Sequence, residues 1–274
     1  MNVVELTKSL ISCPSVTPNN EGVLDLLQKE LTDMGFTCNR YLFSDTDTPD
    51  VDNLFAKIGS GAPHLCFGGH TDVVPVGDEN AWSSNPFEAT EKNGKLYGRG
   101  ASDMKSAIAA FVSAVREYLE NNQVKGTISL LITNDEEGPA INGTRKVLEE
   151  IYKNGEKIDS CLVGEPTCPN NLGEMIKIGR RGSMTTTIKV SGKQGHVAYP
   201  EWTLNPINPL TSILNTLCNL ELDKGTEDFP PSNMEIVKIA SSEGATNIVP
   251  QTSTGTFNIR YNINHTKESL QSMI

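Results

Sequence analysis

Four short segments carry residues able to do chemistry. In Gly69-His70-Thr71-Asp72, after an apolar run, an imidazole nitrogen can ligate a metal while the aspartate two residues on bonds the other ring nitrogen. That carboxylate is what fixes the tautomer of a metal-bound histidine. Tyr97-Gly98-Arg99-Gly100-Ala101-Ser102-Asp103-Met104-Lys105 joins glycines suited to a sharp strand-to-helix passage with Asp103 at an expected helix start. The Asp103 carboxylate can bridge two cations or simply cap the helix. Thr133-Asn134-Asp135-Glu136-Glu137-Gly138 sets three acids in succession, which repel unless something positive neutralises them. One glutamate can then coordinate metal while its neighbour stays free as a general base. Val163-Gly164-Glu165-Pro166 adds a further carboxylate. Taken singly, each has an ordinary reading: a loop histidine, a helix cap, a solvated acidic turn. Together they form an oxygen-rich donor set with one imidazole, suited to zinc or its first-row neighbours in a hydrolytic site. There is no GxSxG, no P-loop and no GxGxxG, so neither a nucleophile elbow nor a nucleotide cradle has support.

The elements that must position these groups are legible as alternating patterns. Val3, Val4, Leu6, Leu10 and Ile11 read as a helix stopped near Pro14. Val23, Leu24, Leu26, Leu27, Leu31 and Met34 read as a second, closed by Gly35. Apolar runs at Asn53–Ile58, His64–Phe67 and Thr127–Ile132 predict buried strands, with a long Ala-rich helix over Ser102–Leu119. The alternation predicts an α/β sheet with helices on both faces, whose strand ends carry the four segments. The pattern changes near Gly179 to strand (Ser183–Val190), helix (Leu204–Leu220), strand (Asn233–Ala240), strand (Thr252–Asn262) and a helix start at Thr266. That β-α-β-β-α order predicts a ferredoxin-like sandwich lacking its last strand, with a domain boundary at 180/181.

The 274 residues carry 34 Asp+Glu against 23 Lys+Arg, a net charge of −11. An acidic chain excludes nucleic acid or an anionic membrane as main partner, since both require basic patches. No apolar run approaches a membrane span and the N-terminus has no signal-peptide pattern, so the expected location is cytoplasmic. The six cysteines form no CxxC pair and are expected to be buried, reduced thiols. The sequons at Asn142 and Asn264 are read as chance.

The segments GHTDVVPVGD (69–78), LYGRGASDMK (96–105), TNDEEG (133–138), GEP (164–166), GRRGS (179–183) and QGHVAYP (194–200) resemble a di-zinc amidohydrolase of the M20 peptidase family, in the family's order along the whole chain. The last two point within it to the desuccinylase branch, whose reaction hydrolyses N-succinyl-L,L-2,6-diaminopimelate to succinate and L,L-2,6-diaminopimelate. The resemblance implies a zinc-peptidase-like α/β catalytic domain, incomplete, over 1–180 and a ferredoxin-like α+β dimerisation domain over 181–274. It further implies that His70, Asp103 and Glu165 bind one zinc, with Asp103 bridging to a second held by Glu137. Cobalt is an alternative metal. Glu136 would be the general base and Asp72 the residue orienting His70. His196 would reach the partner subunit's active site in a homodimer and steady the oxyanion. Arg180, Tyr199, Asn247 and Arg260 would hold the carboxylates of a small polycarboxylate amide, for which basic side chains are the natural partners. Family members continue further, to a histidine on the second metal; His64 and His265 sit in no matching motif. The alternatives are another M20 amidase, an acetylornithine deacetylase or a dipeptidase, and a shortened homologue that only dimerises.

Overall fold

The computed structural model describes residues 1–242 and 244–274. The chain divides into two compact units, Met1–Leu172 and Gly173–Ile274, earlier in the sequence than the expected 180/181. Among the described residues no helix is long and apolar enough to cross a membrane.

The first unit runs α1 (Val3–Ile11), α2 (Val23–Asp33), β1 (Thr37–Asp45), β2 (Thr48–Ser60), β3 (His64–His70), a small hairpin of β4 (Thr90–Lys92) and β5 (Lys95–Tyr97), α3 (Ser106–Asn121), β6 (Gly126–Thr133), α4 (Thr144–Lys153) and β7 (Ser160–Val163). Five strands form one sheet in the order β1-β2-β6-β3-β7. β1, β2 and β6 pair antiparallel, whereas β6, β3 and β7 run parallel. Strand side chains alternate between faces, and both faces are covered. Leu54, Ala56, Phe67, Leu130 and Ile132 join Leu6, Leu10, Leu24, Leu27, Ile108 and Val112 of α1, α2 and α3 in the main core. The intervening Phe55, Cys66 and Leu131 face Val147 and Ile151 of α4. Each such buried side chain contributes roughly 1.5–3 kcal/mol. The mixed α/β layering with helices on both faces is as expected. β1 and α4 were not anticipated: α4 buries only Val147 and Ile151, with Leu148 packed alongside them.

The expected Ser102–Leu119 helix begins late. Residues Ala101–Lys105 form a distorted turn with Asp103 (φ −125°, ψ 101°) and Met104 (φ −132°, ψ 27°) out of helical geometry, and α3 starts at Ser106. Asp103 is therefore not a helix-capping residue.

The second unit contains β8 (Gly182–Ser191), β9 (Gly195–His196), α5 (Ile207–Cys218), β10 (Asn233–Ser241), β11 (Ile248–Val249), β12 (Thr252–Tyr261) and α6 (Lys267–Met273). Its antiparallel sheet has the order β10-β12-β8. Leu210 and Leu214 of α5 and Leu270 of α6 pack with Met184, Phe257 and Ile259 from the sheet. Gly255 lets α5 approach, since a Cβ there would lie 2.8 Å from Leu214 Cδ1. Thr266 opens α6 with a capping box to Ser269. The β-α-β-β-α succession is present, with the two-residue ladder β9–β11 added.

Candidate metal centre

The parallel trio β6-β3-β7 brings three sequence-distant segments to one edge. His70 closes β3 opposite Thr133 of β6, and Gly68 stands opposite Val163 of β7. The residues leaving β6 and β7, Glu136, Glu137 and Glu165, therefore emerge beside His70. Asp103 enters from the turn before α3.

The His70 ring is buried, with Nε2 lying 3.0 Å from Asp103 Oδ1, 3.4 Å from Glu165 Oε1 and 4.0 Å from Glu136 Oε2. Its Nδ1 is 2.9 Å from the Asp72 carbonyl oxygen and 3.5 Å from Asp72 Oδ1. A carbonyl only accepts, so Nδ1 carries the hydrogen and a neutral ring presents its Nε2 lone pair to carboxylates. Such an arrangement requires a proton or a cation at Nε2. Without metal, burial disfavours the charged ring, but the Asp72 acceptors and Glu165 prevail and lift its pKa to about 9. Burial, then repulsion from Asp103, likewise raises the Glu137 carboxyl. The donors form two triplets sharing His70, namely His70-Asp103-Glu165 and His70-Glu136-Glu137, each with ligand atoms within 4.8 Å of one another. One imidazole and four oxygen donors fit divalent first-row cations.

The Asp72 carboxylate, which sequence alone assigns to His70, is also the anchor of the acidic loop. It accepts the backbone N–H of Glu136 at 3.3 Å and of Glu137 at 3.0 Å. The third acid of that run, Asp135, is buried and accepts from the Ile141 and Asn142 amides, closing the loop behind the site. Three consecutive acids thus divide into one scaffold residue and two that face the donors.

Two further contributors escape sequence reading. Met104 packs where a Cβ on Gly69 would lie 2.6 Å from its Cε, and one on Gly164 2.9 Å. Its sulfur also accepts the His70 N–H at 3.3 Å. The three candidate donors His70, Asp103 and Glu165 are each adjacent in sequence to one member of this contact, Gly69, Met104 and Gly164. Lys105 is fully buried, with Nζ donating to the Cys13 carbonyl at 2.8 Å. Burial lowers its pKa to about 8, against the pull of Cys13 and Asp72. Glycines beside acids and a buried Met-Lys pair after Asp103 were the available signals.

In the second unit the ladder β9–β11 sets His196 opposite Ile248. His196 Nδ1 accepts the Ala198 N–H at 3.1 Å, and its Nε2 lies 3.3 Å from the Asn247 side-chain nitrogen. Tyr199 lies 5.8 Å from the His196 ring and stacks on Trp202. His196, Tyr199 and Asn247 thus form one exposed group near the start of β12. Arg260 lies near the other end of that strand, roughly 26 Å from Thr252 at strand rise. Arg180 shares that far end, because Gly182 pairs with Tyr261.

Residues 66–265 match the pattern of peptidase family M20/M25/M40. Succinyl-diaminopimelate desuccinylase of Parvibaculum lavamentivorans is 53% identical over 267 residues, covering 97% of this chain and 67% of the relative. The enzyme of the same name from Rhodospirillum centenum is 52% identical over 272 residues, covering 99% and 70%. The crystal structure of Sso-CP2, an M20 family metallo-carboxypeptidase from Sulfolobus solfataricus, superposes with a TM-score of 0.82 at 19% identity, covering all of this chain and 74% of that one. With the family pattern spanning most of the sequence and close relatives along nearly all of it, the chain belongs to peptidase family M20/M25/M40.

Proposed function

We propose that the chain is a metal-dependent hydrolase that cleaves N-succinyl-L,L-2,6-diaminopimelate to succinate and L,L-2,6-diaminopimelate. The observation that carries the chemistry is the convergence of carboxylates on one imidazole nitrogen, with Glu136 beside them and half exposed. The substrate follows from the name of both relatives at just over half identity. No observation favours an acetyl-amino-acid or dipeptide substrate or a purely dimerising role.

In this reading His70, Asp103 and Glu165 would hold one ion, and Asp103 with Glu137 would hold the second. Zinc, or cobalt in its place, supplies when bound a Lewis acid for the amide carbonyl and a lowered pKa for water. Asp72 keeps the His70 hydrogen on Nδ1 and holds the loop that presents the base. Glu136 takes the proton of the attacking water and returns it to the leaving nitrogen. His196 donates from Nε2 to the developing oxyanion of the partner subunit's substrate, a contact typically worth ~3 kcal/mol. Arg180, Tyr199, Asn247 and Arg260 bind the carboxylates. The separation of Arg180 and Arg260 from the His196 group within one unit accords with the two groups serving different sites of a homodimer. The residue 1–172 unit is then the catalytic domain and the residue 173–274 unit a ferredoxin-like dimerisation domain, in a cytoplasmic enzyme of lysine and diaminopimelate biosynthesis.

Glu136→Gln tests the assignment. The variant should keep the metal content of the parent and lose turnover about 10²–10⁴-fold, because an amide can neither accept nor return the proton. Loss of metal by elemental analysis would instead make Glu136 a ligand and overturn the division between Glu136 and Glu137. Succinyl, acetyl and dipeptide amides compared side by side test the substrate.

A further inference from the structure

The buried acid behind the donors, Asp135, is satisfied on one oxygen only. Its Oδ2 accepts the Ile141 N–H at 2.9 Å and the Asn142 N–H at 2.8 Å. Its Oδ1 is shielded from solvent and has no hydrogen-bond partner among the described residues. Asp72, also buried, accepts one amide on each of its oxygens. A buried carboxylate oxygen without a donor is costly, and native structures rarely leave one so. A second such atom stands beside it. Thr17 Oγ1 is likewise shielded from solvent and without a partner among the described residues. A Cβ on Gly138 would lie 2.7 Å from Asp135 Oδ1 and 2.7 Å from Thr17 Oγ1. The two oxygens therefore converge on one point that glycine leaves free of a side chain, and they are at most twice that distance apart.

One water spans such a gap, with hydrogen bonds of about 2.7–2.8 Å on either side. It can accept from the Thr17 hydroxyl and donate to the carboxylate, and about two to four polar partners are what a buried water takes. A calcium ion gathers about six to eight oxygens instead. The segment that carries Thr17 is itself fixed. The Thr17 N–H donates to the Val73 carbonyl at 3.0 Å and the Val73 N–H to the Ser15 carbonyl at 2.9 Å. The Ser15 hydroxyl donates to the Thr71 carbonyl at 2.5 Å, and the Asn134 side chain to the Asn19 carbonyl at 3.4 Å. Residues 15–19 thus run beside both the segment that holds Asp72 and the start of the acidic loop.

We propose that Thr17 is a positioning residue for the loop of Glu136 and Glu137, acting through a water molecule bound between its hydroxyl and Asp135 Oδ1. The loop is then held at three points. Asp72 takes the amides of Glu136 and Glu137, the amides of Ile141 and Asn142 take one oxygen of Asp135, and the water ties the other oxygen to the segment of Thr17. The consequence for zinc rests on the metal-site reading above; the water site does not.

The test compares the full chain with Thr17→Val, which removes the hydroxyl at nearly constant shape, and Thr17→Ser, which keeps it. Crystals that show ordered water should hold a peak within about 3.2 Å of Asp135 Oδ1 and of the residue 17 hydroxyl in the parent and in Thr17→Ser. Thr17→Val should lack that peak and melt about 2–6 °C lower, because a buried carboxylate oxygen loses its donor. Competition titration should find its zinc binding weakened about three- to tenfold. Thr17→Ser should keep the parent's zinc affinity, which separates the hydroxyl from packing. Thr17 and Asp135 in direct contact with no peak between them, a peak that rubidium replaces and that is therefore a cation, or parent-like zinc affinity in Thr17→Val would overturn the proposal. So would a Thr17→Ser chain as weak as Thr17→Val. A parent that takes up no zinc would fault the metal-site reading instead, and the crystals and melts would still judge the water.

Discussion

The packing of Met104 between two glycines makes the cost of one methyl group calculable. In Gly69→Ala the new Cβ would sit 2.6 Å from Met104 Cε, 3.2 Å from its sulfur and 3.2 Å from Phe67 Cε1. Carbon atoms in contact settle at about 3.5–4.0 Å, so the neighbours must retreat by roughly 1 Å. Phe67 and Met104 are both buried, and of the two only the methionine has flexible torsions to spend. Overpacking of this kind costs about 1–3 kcal/mol, and a value near 2 lowers the melting temperature by about 4–8 °C. Because Met104 follows Asp103 and its sulfur accepts the His70 N–H, its retreat moves two of the proposed ligands. A loss of about 1.4 kcal/mol there raises the zinc dissociation constant about tenfold. Thermal melts of the metal-free protein and competition titrations of zinc measure the two effects separately. Met104→Ala opens the space the methyl needs, so the double variant should be less destabilised than the sum of the singles. Parent-like melting and zinc affinity in Gly69→Ala, or strictly additive losses in the double variant, would refute the packing argument.

Three other outcomes follow from the geometry. His196→Ala should lower kcat more than it raises KM, since the residue is proposed to act on transition-state charge. If the proposed homodimer forms, mixtures of His196→Ala and Glu136→Ala subunits should regain activity, and none in such mixtures would remove the role across the interface. In the second unit, burial alone would raise the Asp223 carboxyl, yet donors from Ser232, Asn262 and Gly225 hold it well below its ordinary 3.8. A carboxyl depressed by folding stabilises above its unfolded value and loses that contribution as acid protonates the folded form. Stability of the residue 173–274 unit should therefore fall below about pH 4. Asp223→Asn should remove that acid step and lower the melting temperature at neutral pH, because its NH₂ group would face the same donors; an unchanged acid profile by circular dichroism would show the cage to be inconsequential.

Much of this was readable from residue order because the informative patterns are local. The periodicity of Leu24, Leu27 and Leu31 reports a helix face directly, and the apolar runs at 54–58 and 127–132 report strands covered on both faces. The donor set was legible because each ligand leaves a strand end or a glycine-rich turn, where acids are otherwise hard to explain. What was not legible depends on distant partners. The division of Asp135 from Glu136 and Glu137 is decided by amides at 141 and 142. The turn at Asp103 mimics a helix start in composition, and only its extended backbone, aimed at a ring 33 residues earlier, distinguishes it. The exposure of Cys161, against its expected burial, is decided by tertiary packing, and so is the meeting of Thr17 with Asp135 at Gly138, which no spacing in the chain announces.

One carboxylate, Asp72, holds the amides of Glu136 and Glu137 while its own backbone oxygen receives the His70 hydrogen. The proposed base, the proposed ligand and the imidazole therefore hang from a single residue. A change at position 72 would therefore disturb all three together, whereas a change at Glu136 or Glu137 alone would not. Conversely, a shift of substrate leaves this knot untouched, because the groups that read the substrate's carboxylates are sought in another unit of the chain. A fold wired in this way can diversify in what it cleaves far more easily than in how it cleaves.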